Sequence, residues 1–567
     1  MSIHRLFGFL ILLTLPFFSA ANPAPAQDDL MNILSEELER EMAELSKEDY
    51  PPYYLDYRVD DLNSYSIQTS FGSVTGRATN KGRVLTTMLR IGDFEFDNTH
   101  VFKGDFSMPE QSAVYATQLP YENDPDAIKQ SLWLATDQVY KNALSSYTSL
   151  MRKRKEIEED DPIPDFSKES PSVYYEPPFP EEDCILDEDE WISRLKEYTG
   201  MFKSDSMIFH SEAFLVFMID RKYFVSSEGS RIVQNSRYTQ LQIQLSIQHK
   251  GGSILPLNKS YTAFHPSDLP DHNTVIADLK DLYSKLQVLK NAPMAEPYAG
   301  PAILSPGAAG VFFHEIFGHR IEGHRLESFM DGQTFKEKIG TKVLPKEFNV
   351  YSDPTLSKFN DQDLIGSYIY DDQGVIAQKV NVVEKGILEN FLMSRQPTRE
   401  FANSSGHGRS QAGYAPVSRQ SNLIIETTDP ISWTDMRKQL IRECKKQKKE
   451  YGYYFKEVTG GLTITDRYNP NVFDITPIEV YRIYVDGRPD ELVSGVDLIG
   501  TPLTMFSNII SGSDTREVFT GFCGAESGHV PVTTISPALF VRKIETQKTP
   551  EFDSKLPLLP SPDKEVE

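Results

Sequence analysis

The stretch Ser305-Pro-Gly-Ala-Ala-Gly-Val-Phe-Phe-His-Glu-Ile-Phe-Gly-His319 places two imidazoles and a carboxylate close together, directly after an apolar run. Ser305 is a good N-cap and Pro306 suits the first position of a helix, so a helix is expected to begin here, after a strand over residues 298–304. His314, Glu315 and His319 form the pattern His-Glu-x-x-x-His. The stretch therefore predicts a helix that carries a metal site.

The spacing of the two histidines is one residue longer than the pattern in which two zinc ligands share one face of a helix. On a regular α-helix, side chains five residues apart point about 140° away from each other, so they cannot share a small cation. A π-type turn would realign them, and Gly318 is where backbone distortion costs least. We therefore predict a helix that is distorted near Gly318.

A third protein ligand is needed, because a catalytic zinc usually has three and leaves one position open for water. The residues themselves leave His324, Glu322 and Cys523 as candidates for it. The chain has three cysteines, an odd number. Cys184 and Cys444 could form a disulfide, or no cysteine pairs at all, and metal ligation would explain why one thiol stays free in an exported protein.

Composition limits the class of protein. With 567 residues the chain should hold more than one domain, and a net charge of −24 with a pI near 5.0 argues against nucleic-acid binding. His4 and Arg5 precede an apolar run over residues 6–18, and small residues follow it. Residues 1–21 therefore predict a secretory signal, with a retained anchor as the alternative, and an exported protein that is periplasmic or secreted. No other stretch is long and apolar enough to span a membrane.

The pattern of strands and helices predicts an α+β fold. The N-terminal α/β domain is expected to have a mixed sheet and a long helix. The C-terminal domain is expected to be β-rich, with a curved, half-barrel-like sheet, and to carry the metal-site helix. The predicted segments are the N-terminal sheet and helices (22–155), an exposed, acidic and proline-rich connection (156–190), the rest of the N-terminal domain (191–292), the C-terminal domain (293–545) and a disordered tail (546–567).

Several ordered blocks of the sequence resemble the TldD/PmbA family of metallopeptidases, specifically its TldD branch. The likeness runs from about residue 54 to about residue 544. Its blocks are His314-Glu-Ile-Phe-Gly-His319, Ile321-Glu-Gly323, Tyr370-Asp-Asp-Gln-Gly374, Ser405-Gly-His-Gly-Arg409, Gly460-Gly461 and Gly521-Phe-Cys-Gly-Ala-Glu-Ser-Gly-His-Val-Pro-Val532.

The resemblance implies a zinc peptidase with His314, His319 and Cys523 as metal ligands and Glu315 as the general base. It implies peptides or unfolded polypeptide as substrates, held against a strand edge, and a homodimer or a heterodimer with a PmbA-like partner. The alternative is a non-catalytic scaffold subunit like the PmbA branch, but that branch lacks the His-Glu-x-x-x-His set. A structural zinc without hydrolase activity is a third possibility, although such sites normally have four protein ligands.

The chain departs from the family pattern at two histidines. His324 stands where an acidic residue is more common, and His529 stands where a glutamine is expected. His529 is a candidate for substrate binding if it faces the cleft, and otherwise an ordinary loop or core histidine. His407, between two glycines, is a second candidate that either lines a groove or lies in a turn. Asp371 and Asp372 are expected to bond the local backbone of a turn.

Overall fold

A computed structural model describes residues 28–104, 113–157, 163–205, 207–248, 254–468 and 473–548. The predicted signal, 1–21, lies outside the described residues, as does most of the predicted tail. No helix in the described ranges is long and apolar enough to cross a membrane. Helices and two large sheets make the chain α+β, as predicted.

Seven α-helices occur in the described part of the chain. They are α1 Asp29–Leu45, α2 Pro125–Arg154, α3 Glu188–Gly200, α4 His272–Leu289, α5 Pro306–Ile316, α6 Trp433–Lys446 and α7 Pro502–Ser507. The long helix expected in the N-terminal domain is α2. Asp124 caps it by accepting hydrogen bonds from the N–H groups of Asp126 and Ala127.

The first sheet is mixed, as predicted, and contains seven strands. They are β1 Pro52–Ser70, β2 Ser73–Ile91, β3 Val114–Leu119, β4 Val173–Tyr175, β5 Ile208–Ser226, β6 Arg231–Gln248 and β7 Ile254–Ala263. Their order is β3-β2-β1-β5-β6-β4, with β7 also paired to β6, and only the β4–β6 pair is parallel. Apolar side chains alternate along the strands, so one face of the sheet packs against α1, α2, α3 and α4.

The second sheet contains eleven strands and begins at β8. The strands after residue 292 are β8 Tyr298–Leu304, β9 Phe348–Ser352, β10 Lys358–Phe359, β11 Gln362–Asp363, β12 Val380–Glu384, β13 Ile387–Leu388, β14 Gly408–Arg409, β15 Val417–Ser418, β16 Asn422–Thr427, β17 Tyr451–Thr463, β18 Phe473–Tyr484, β19 Glu491–Val493, β20 Val496–Gly500, β21 Ile509–Ala525 and β22 Gly528–Lys548. The short pairs β10–β11 and β14–β15 lie outside this sheet. Because β22 extends to Lys548, the predicted tail at 546–567 begins too early.

Strand pairing closes part of the second sheet into a ring. β8 pairs with both β17 and β22, and β22 pairs with β20, which pairs with β18 and so returns to β17. The helix α5 follows β8 directly and packs against β22, β17 and β21. Residues from Ala308 to Ile316 are all buried, as expected for a helix that is apolar on every side.

The acidic segment 156–190 is more than the exposed connection that we predicted. Phe166 is buried, and β4 adds a strand to the first sheet. The Ser167 N–H donates to the Arg395 carbonyl, and the Arg395 guanidinium returns a hydrogen bond of 2.6 Å to the Ser167 carbonyl. The segment therefore packs between the N-terminal sheet and the C-terminal domain. The sequence did not indicate this, since acidic, proline-rich stretches are usually solvated.

Candidate metal centre

The helix α5 begins as the sequence predicts. The Ser305 hydroxyl accepts a hydrogen bond of 3.1 Å from the Ala308 N–H, and Pro306 occupies the first helical position. The helix then ends at Ile316, two residues beyond His314. At Phe317 the backbone departs from helical geometry, with φ −122° and ψ −50°, and a 3-10 turn follows over Gly318–Arg320.

The helix is therefore interrupted near Gly318, as predicted, but no π-turn does this. His314 lies in the last turn of α5, and His319 lies in the separate 3-10 turn. Gly318 leaves room for the Gln420 side chain, because a Cβ atom there would lie 1.8 Å from Oε1 of Gln420. Gln420 in turn lies with Nε2 3.5 Å from the His314 carbonyl oxygen. Because the helix ends early, the two imidazoles can point in the same direction although they are five residues apart in sequence.

The donor atoms of His314, His319 and Cys523 lie within 4.8 Å of one another. Sγ of Cys523 is 3.3 Å from Nε2 of His319, although the two residues are 204 positions apart in sequence. All three side chains are buried, with exposures of 7%, 7% and 3%. One thiolate and two imidazoles are ligands that suit zinc, and three protein ligands leave a fourth position open. The donor set therefore fits a catalytic rather than a structural zinc site.

The electrostatics of the cluster favour the thiolate. Burial alone would raise the pKa of Cys523, but the neighbouring His319 and His314 hold it well below its usual value. Burial would likewise lower the pKa of His319, yet the charges of Cys523 and Glu322 outweigh burial and raise it to about 10. A thiolate is the form of cysteine that binds a metal. The site thus offers its sulfur ligand ready for coordination.

Glu322, one of the three candidates for the third ligand, instead supports a ligand. Its Oε2 lies 3.3 Å from Nδ1 of His319, which leaves Nε2 of the same ring directed at Cys523. Burial alone would raise the pKa of Glu322, but the charges of His319 and Arg325 lower it to about 2. A carboxylate on the second nitrogen of a metal-binding histidine fixes the orientation of the ring.

Arg419 joins this carboxylate to the strand that carries the cysteine. Its fully buried guanidinium donates to the carbonyl of Cys523 at 2.5 Å and to the hydroxyl of Ser527 at 2.7 Å. Nε of the same side chain is 3.5 Å from Oε1 of Glu322. Sequence reasoning missed Arg419, since it lies about a hundred residues from either partner and no local motif marks it.

Glu315 follows His314 in α5, and its side chain lies against the strand β17. A Cβ atom on Gly461 would approach Cγ of Glu315 to 2.6 Å, so the bare α-carbon makes room for this carboxylate. The backbone of Glu315 is held by Arg320, which donates to its carbonyl oxygen at 2.7 Å and to the Thr463 hydroxyl at 2.8 Å. The second glycine of the Gly460-Gly461 block therefore leaves the space that the Glu315 side chain occupies.

The strand β17 has an open edge next to Glu315. β8 pairs with β17 only over residues 453–455, whereas β18 pairs with the other side of β17 as far as Thr463. Within the described ranges, no strand pairs with β17 on the β8 side beyond Phe455. The chain there offers unpaired backbone groups to an added strand.

Three other predicted histidines do not join the cluster. His324, the remaining candidate for the third ligand, binds the Glu526 carboxylate instead. His407 is fully buried, and its ring nitrogens lie 3.0 Å from the Ser352 hydroxyl and 3.0 Å from the Ser405 carbonyl. Of the two alternatives for His407, the structure therefore excludes the one in which it lines an open groove.

His529 is exposed on the far face of the β21–β22 hairpin. Cys523 pairs with Val530, and His529 pairs with Gly524. Since successive side chains in a strand alternate between faces, His529 points away from the face that carries Cys523. Of the two alternatives for His529, the structure therefore excludes the one in which it faces the same cleft as Cys523.

The turn aspartates and the other two cysteines do not belong to the metal cluster. The Asp371 carboxylate accepts hydrogen bonds from the N–H groups of Gln373 and Val375 in its own turn, as expected, and also from the distant Gly408. Asp372 instead binds Lys222 and accepts from the Ser410 N–H, so the prediction of local bonding is wrong for it.

Cys184 and Cys444 are both free, so the possible disulfide between them is not formed. Cys444 packs in a small apolar cluster under α6.

Comparison with known proteins identifies the C-terminal half of the chain. Residues 297–548 match the PmbA/TldA metallopeptidase C-terminal domain. A metalloprotease from Methanocaldococcus jannaschii is 28% identical over 313 residues, covering 55% of this chain and 64% of the relative. A zinc metalloprotease TldD homolog from Saccharolobus solfataricus is 25% identical over 370 residues, covering 64% of this chain and 76% of the relative.

Most of the chain also shares its fold with solved structures. A crystal structure of TldE from Thermococcus kodakarensis superposes with a TM-score of 0.60 at 15% identity, covering 92% of this chain and all of that one. The matches to three archaeal metalloproteases span between 48% and 64% of those proteins. The matched C-terminal domain and the TldD relatives confirm the resemblance seen in the sequence, and the shared fold agrees with it: residues 297–548 form a C-terminal domain of the TldD/PmbA family.

Proposed function

We propose that this protein is a zinc metallopeptidase that hydrolyses peptides or unfolded polypeptide segments. The observation that carries the proposal is the convergence of the donor atoms of His314, His319 and Cys523 within 4.8 Å, with Glu315 following His314 in the same helix. The naming of relatives as metalloproteases, one of them a zinc metalloprotease, supports the same assignment.

His314, His319 and Cys523 would hold the zinc, with Glu322 fixing the ring of His319 and Arg419 fixing the backbone of Cys523. When bound, zinc supplies Lewis-acid chemistry that polarises a carbonyl and makes water more acidic. The three ligands come from a helix end, a 3-10 turn and a distant strand, so their geometry is fixed by the fold rather than by a local loop.

Glu315 would be the general base. It follows His314, one of the proposed ligands, directly in sequence, and its carboxylate lies against Gly461 of β17. There it would take a proton from the attacking water and pass that proton to the leaving amine as the peptide bond breaks. The absence of a side chain at Gly461 leaves the carboxylate room to do so.

The open edge of β17 would hold the substrate in an extended conformation. Main-chain hydrogen bonds to an added strand give affinity that depends little on sequence, which suits peptides and unfolded segments. Folded proteins have no free extended backbone to offer at such an edge. We also propose that the protein is exported and assembles with a second copy or a PmbA-like partner, on the N-terminal sequence and the family alone.

Metal analysis and peptide digestion of one variant test the proposal. We expect the wild type to contain about one zinc per chain. Glu315→Gln should keep that zinc but lose hydrolysis of a peptide library by about 10²-fold or more. Glu337→Gln, an exposed glutamate on a separate turn, is the matched control and should cleave like the wild type. The proposal fails if the wild type holds no stoichiometric zinc, or if Glu315→Gln cleaves as well as Glu337→Gln.

A further inference from the structure

The helix α6 carries a basic face on an acidic protein. Residues 435–450 contain seven lysines or arginines and three aspartates or glutamates, whereas the whole chain has a net charge of −24. Met436, Leu440 and Cys444 recur every fourth residue and are buried under the helix. The opposite side of α6 therefore faces solvent, and most of the positive charge of the segment lies there.

We call the exposed cations of this side the basic ridge. They are Lys438, Arg442, Lys445 and Lys446 of α6 and Lys448 directly after it. The four helical residues share one face of α6, because they follow one another at spacings of three and four residues. From Lys438 to Lys446 the ridge is about 12 Å long. It forms a continuous band of positive charge on an exposed helix.

Carboxylates neutralise only part of the basic ridge. Lys438 pairs with Asp435 at 3.0 Å, and Lys446 lies 3.6 Å from Glu443. The third acidic residue of the segment, Glu450, pairs instead with an arginine outside it. The other three members of the ridge form no ion pair with any residue in the described ranges. The ridge therefore has an excess of positive charge that the protein itself does not neutralise.

The neighbouring part of β22 is also basic. Gln447, at the end of α6, donates to the carbonyl oxygen of Arg542 at 3.0 Å. Arg542 and Lys543 are both exposed, and Glu545 pairs with Lys543. The basic surface therefore continues from the ridge onto this strand.

The last cation of the ridge has an unusual backbone conformation. Lys448 has a φ of 56°, in the left-handed region that glycine usually occupies just after a helix. Lys445 and Lys446 lie in the last turn of α6, where cations stabilise the helix dipole. That structural role requires neither Lys438 nor Arg442, nor a lysine in place of glycine at position 448. The ridge therefore has more positive charge than the helix needs.

The basic ridge and the metal centre lie on opposite faces of the same strands. Ile303 of β8 packs against α6, whereas its neighbours Ala302 and Leu304 pack in the core that contains α5. Because strand side chains alternate between faces, α5 and α6 cover the two sides of β8. A partner that touches the ridge therefore does not lie on the side that carries His314.

The basic ridge can attract an anionic surface although the protein is acidic overall. At physiological salt, exposed charges more than about 8 Å apart are largely screened from each other. A partner in contact with the ridge is therefore acted on mainly by the nearest side chains, where positive charge is in excess. The rest of the protein adds a weaker repulsion.

We propose that the basic ridge binds the anionic headgroups of a phospholipid bilayer and holds the protein on a membrane surface. Clusters of four to eight lysines and arginines bind such surfaces. A convex, exposed helix face fits a broad, flat partner, whereas a peptide segment is held in a groove or at a strand edge. The predicted signal at residues 1–21 brings the chain to a membrane, which favours the same partner. The inference does not depend on the proposed peptidase function.

Vesicle binding tests this inference directly. The full-length protein is mixed with vesicles of two parts phosphatidylcholine to one part phosphatidylglycerol, and with vesicles of phosphatidylcholine alone, in about 0.1 M salt. We expect binding to the anionic vesicles to be about tenfold tighter or more, and to weaken in about 0.5 M salt. The neutral vesicles measure any contribution of the apolar run at residues 6–18, which does not depend on lipid charge.

Charge reversal locates the binding surface. Arg442→Glu with Lys445→Glu should weaken binding to the anionic vesicles about tenfold and leave binding to the neutral ones unchanged. The matched control is Lys81→Glu with Lys196→Glu, which changes two exposed lysines of the N-terminal domain. Both pairs change the net charge equally, so a general repulsion by the lipid affects them alike.

A milder variant guards against misfolding. Arg442→Gln with Lys445→Gln adds no carboxylate near the C-terminal end of α6, where a negative charge is unfavourable. It should weaken binding to the anionic vesicles in the same direction as the charge reversal, by a smaller factor.

The inference is overturned if the wild type binds anionic and neutral vesicles alike, or if both ridge variants bind like the control. It is also overturned if polyglutamate binds through Arg442 and Lys445 while vesicles do not, because the ridge would then be a site for an acidic protein. Zinc content and peptide cleavage play no part in these measurements, so failure of either proposal leaves the other intact.

Discussion

Two histidines of the C-terminal domain, His319 and His407, are both buried and both next to glycines, yet their pKa values are shifted in opposite directions. The pKa of His319 is raised to about 10, against the effect of burial, by the thiolate of Cys523 and the carboxylate of Glu322. The pKa of His407 is lowered to about 4, chiefly by burial. Its neighbours are the neutral Ser352 hydroxyl and Ser405 carbonyl.

The difference shows that burial does not make a histidine a metal ligand. His407 has a neutral hydrogen-bond partner on each nitrogen, so it has no free lone pair to offer a cation. His319 has one nitrogen oriented by a carboxylate and the other directed at a sulfur that prefers its anionic form. Such anionic surroundings are what a dication requires.

The largest expected effect comes from removing the sulfur. Cys523→Ala should reduce the zinc content from about one per chain to almost none, because two imidazoles alone bind zinc weakly. Cys444→Ala is the matched control: its thiol is equally buried but lies in an apolar cluster, so zinc content should not change. Metal analysis of the purified variants measures both. Equal zinc in the two variants would contradict the assignment of Cys523 as a ligand.

A smaller effect is expected when the orienting carboxylate is neutralised. Glu322→Gln should weaken zinc binding about 10- to 100-fold, as loss of a carboxylate behind a ligand usually does. Competition against a chelator of known affinity measures this. Glu479→Gln changes another buried carboxylate, one that binds Lys456 and Lys285 instead, and is the control. If the two variants bind zinc alike, Glu322 has no specific role in orienting His319.

The smallest effect concerns His407 and involves stability alone. Because its pKa is below that of an unfolded histidine, about 6.5, the unfolded chain takes up a proton first as the pH falls. The stability due to neutral His407 is therefore complete above about pH 6.5 and is lost between there and about pH 4, up to roughly 3 kcal/mol in all.

Urea unfolding of wild type and His407→Gln at several pH values tests this. The variant should be less stable at pH 7, and the difference in unfolding free energy between the two proteins should decrease as the pH falls toward 4. The zinc content of the variant should stay at the wild-type level. A constant difference across this range would show that His407 does not titrate as the structure indicates. Loss of zinc from the His407→Gln variant would contradict the conclusion that His407, unlike His319, takes no part in metal binding.

The sequence by itself predicted the start of α5 at Ser305, the α+β class and the mixed first sheet. Capping, apolar periodicity and turn residues are local signals, so they can be found without knowing the fold. The resemblance to the family added His314, His319 and Cys523 as a set. From the residues alone, His324 and Glu322 were equal candidates with Cys523, because proximity in sequence does not show which group meets the histidines in space.

Only the tertiary structure assigned roles to these groups. Whether His529 faces the cluster depends on the register of the β21–β22 hairpin, where a shift of one residue reverses the face. The contacts of Cys523 with His319 and with Arg419 join segments about a hundred residues or more apart. The position of Glu322 behind the His319 ring depends on side-chain directions within one turn. Such contacts are set by how the strands pair and close around α5, and no local pattern in the sequence encodes them.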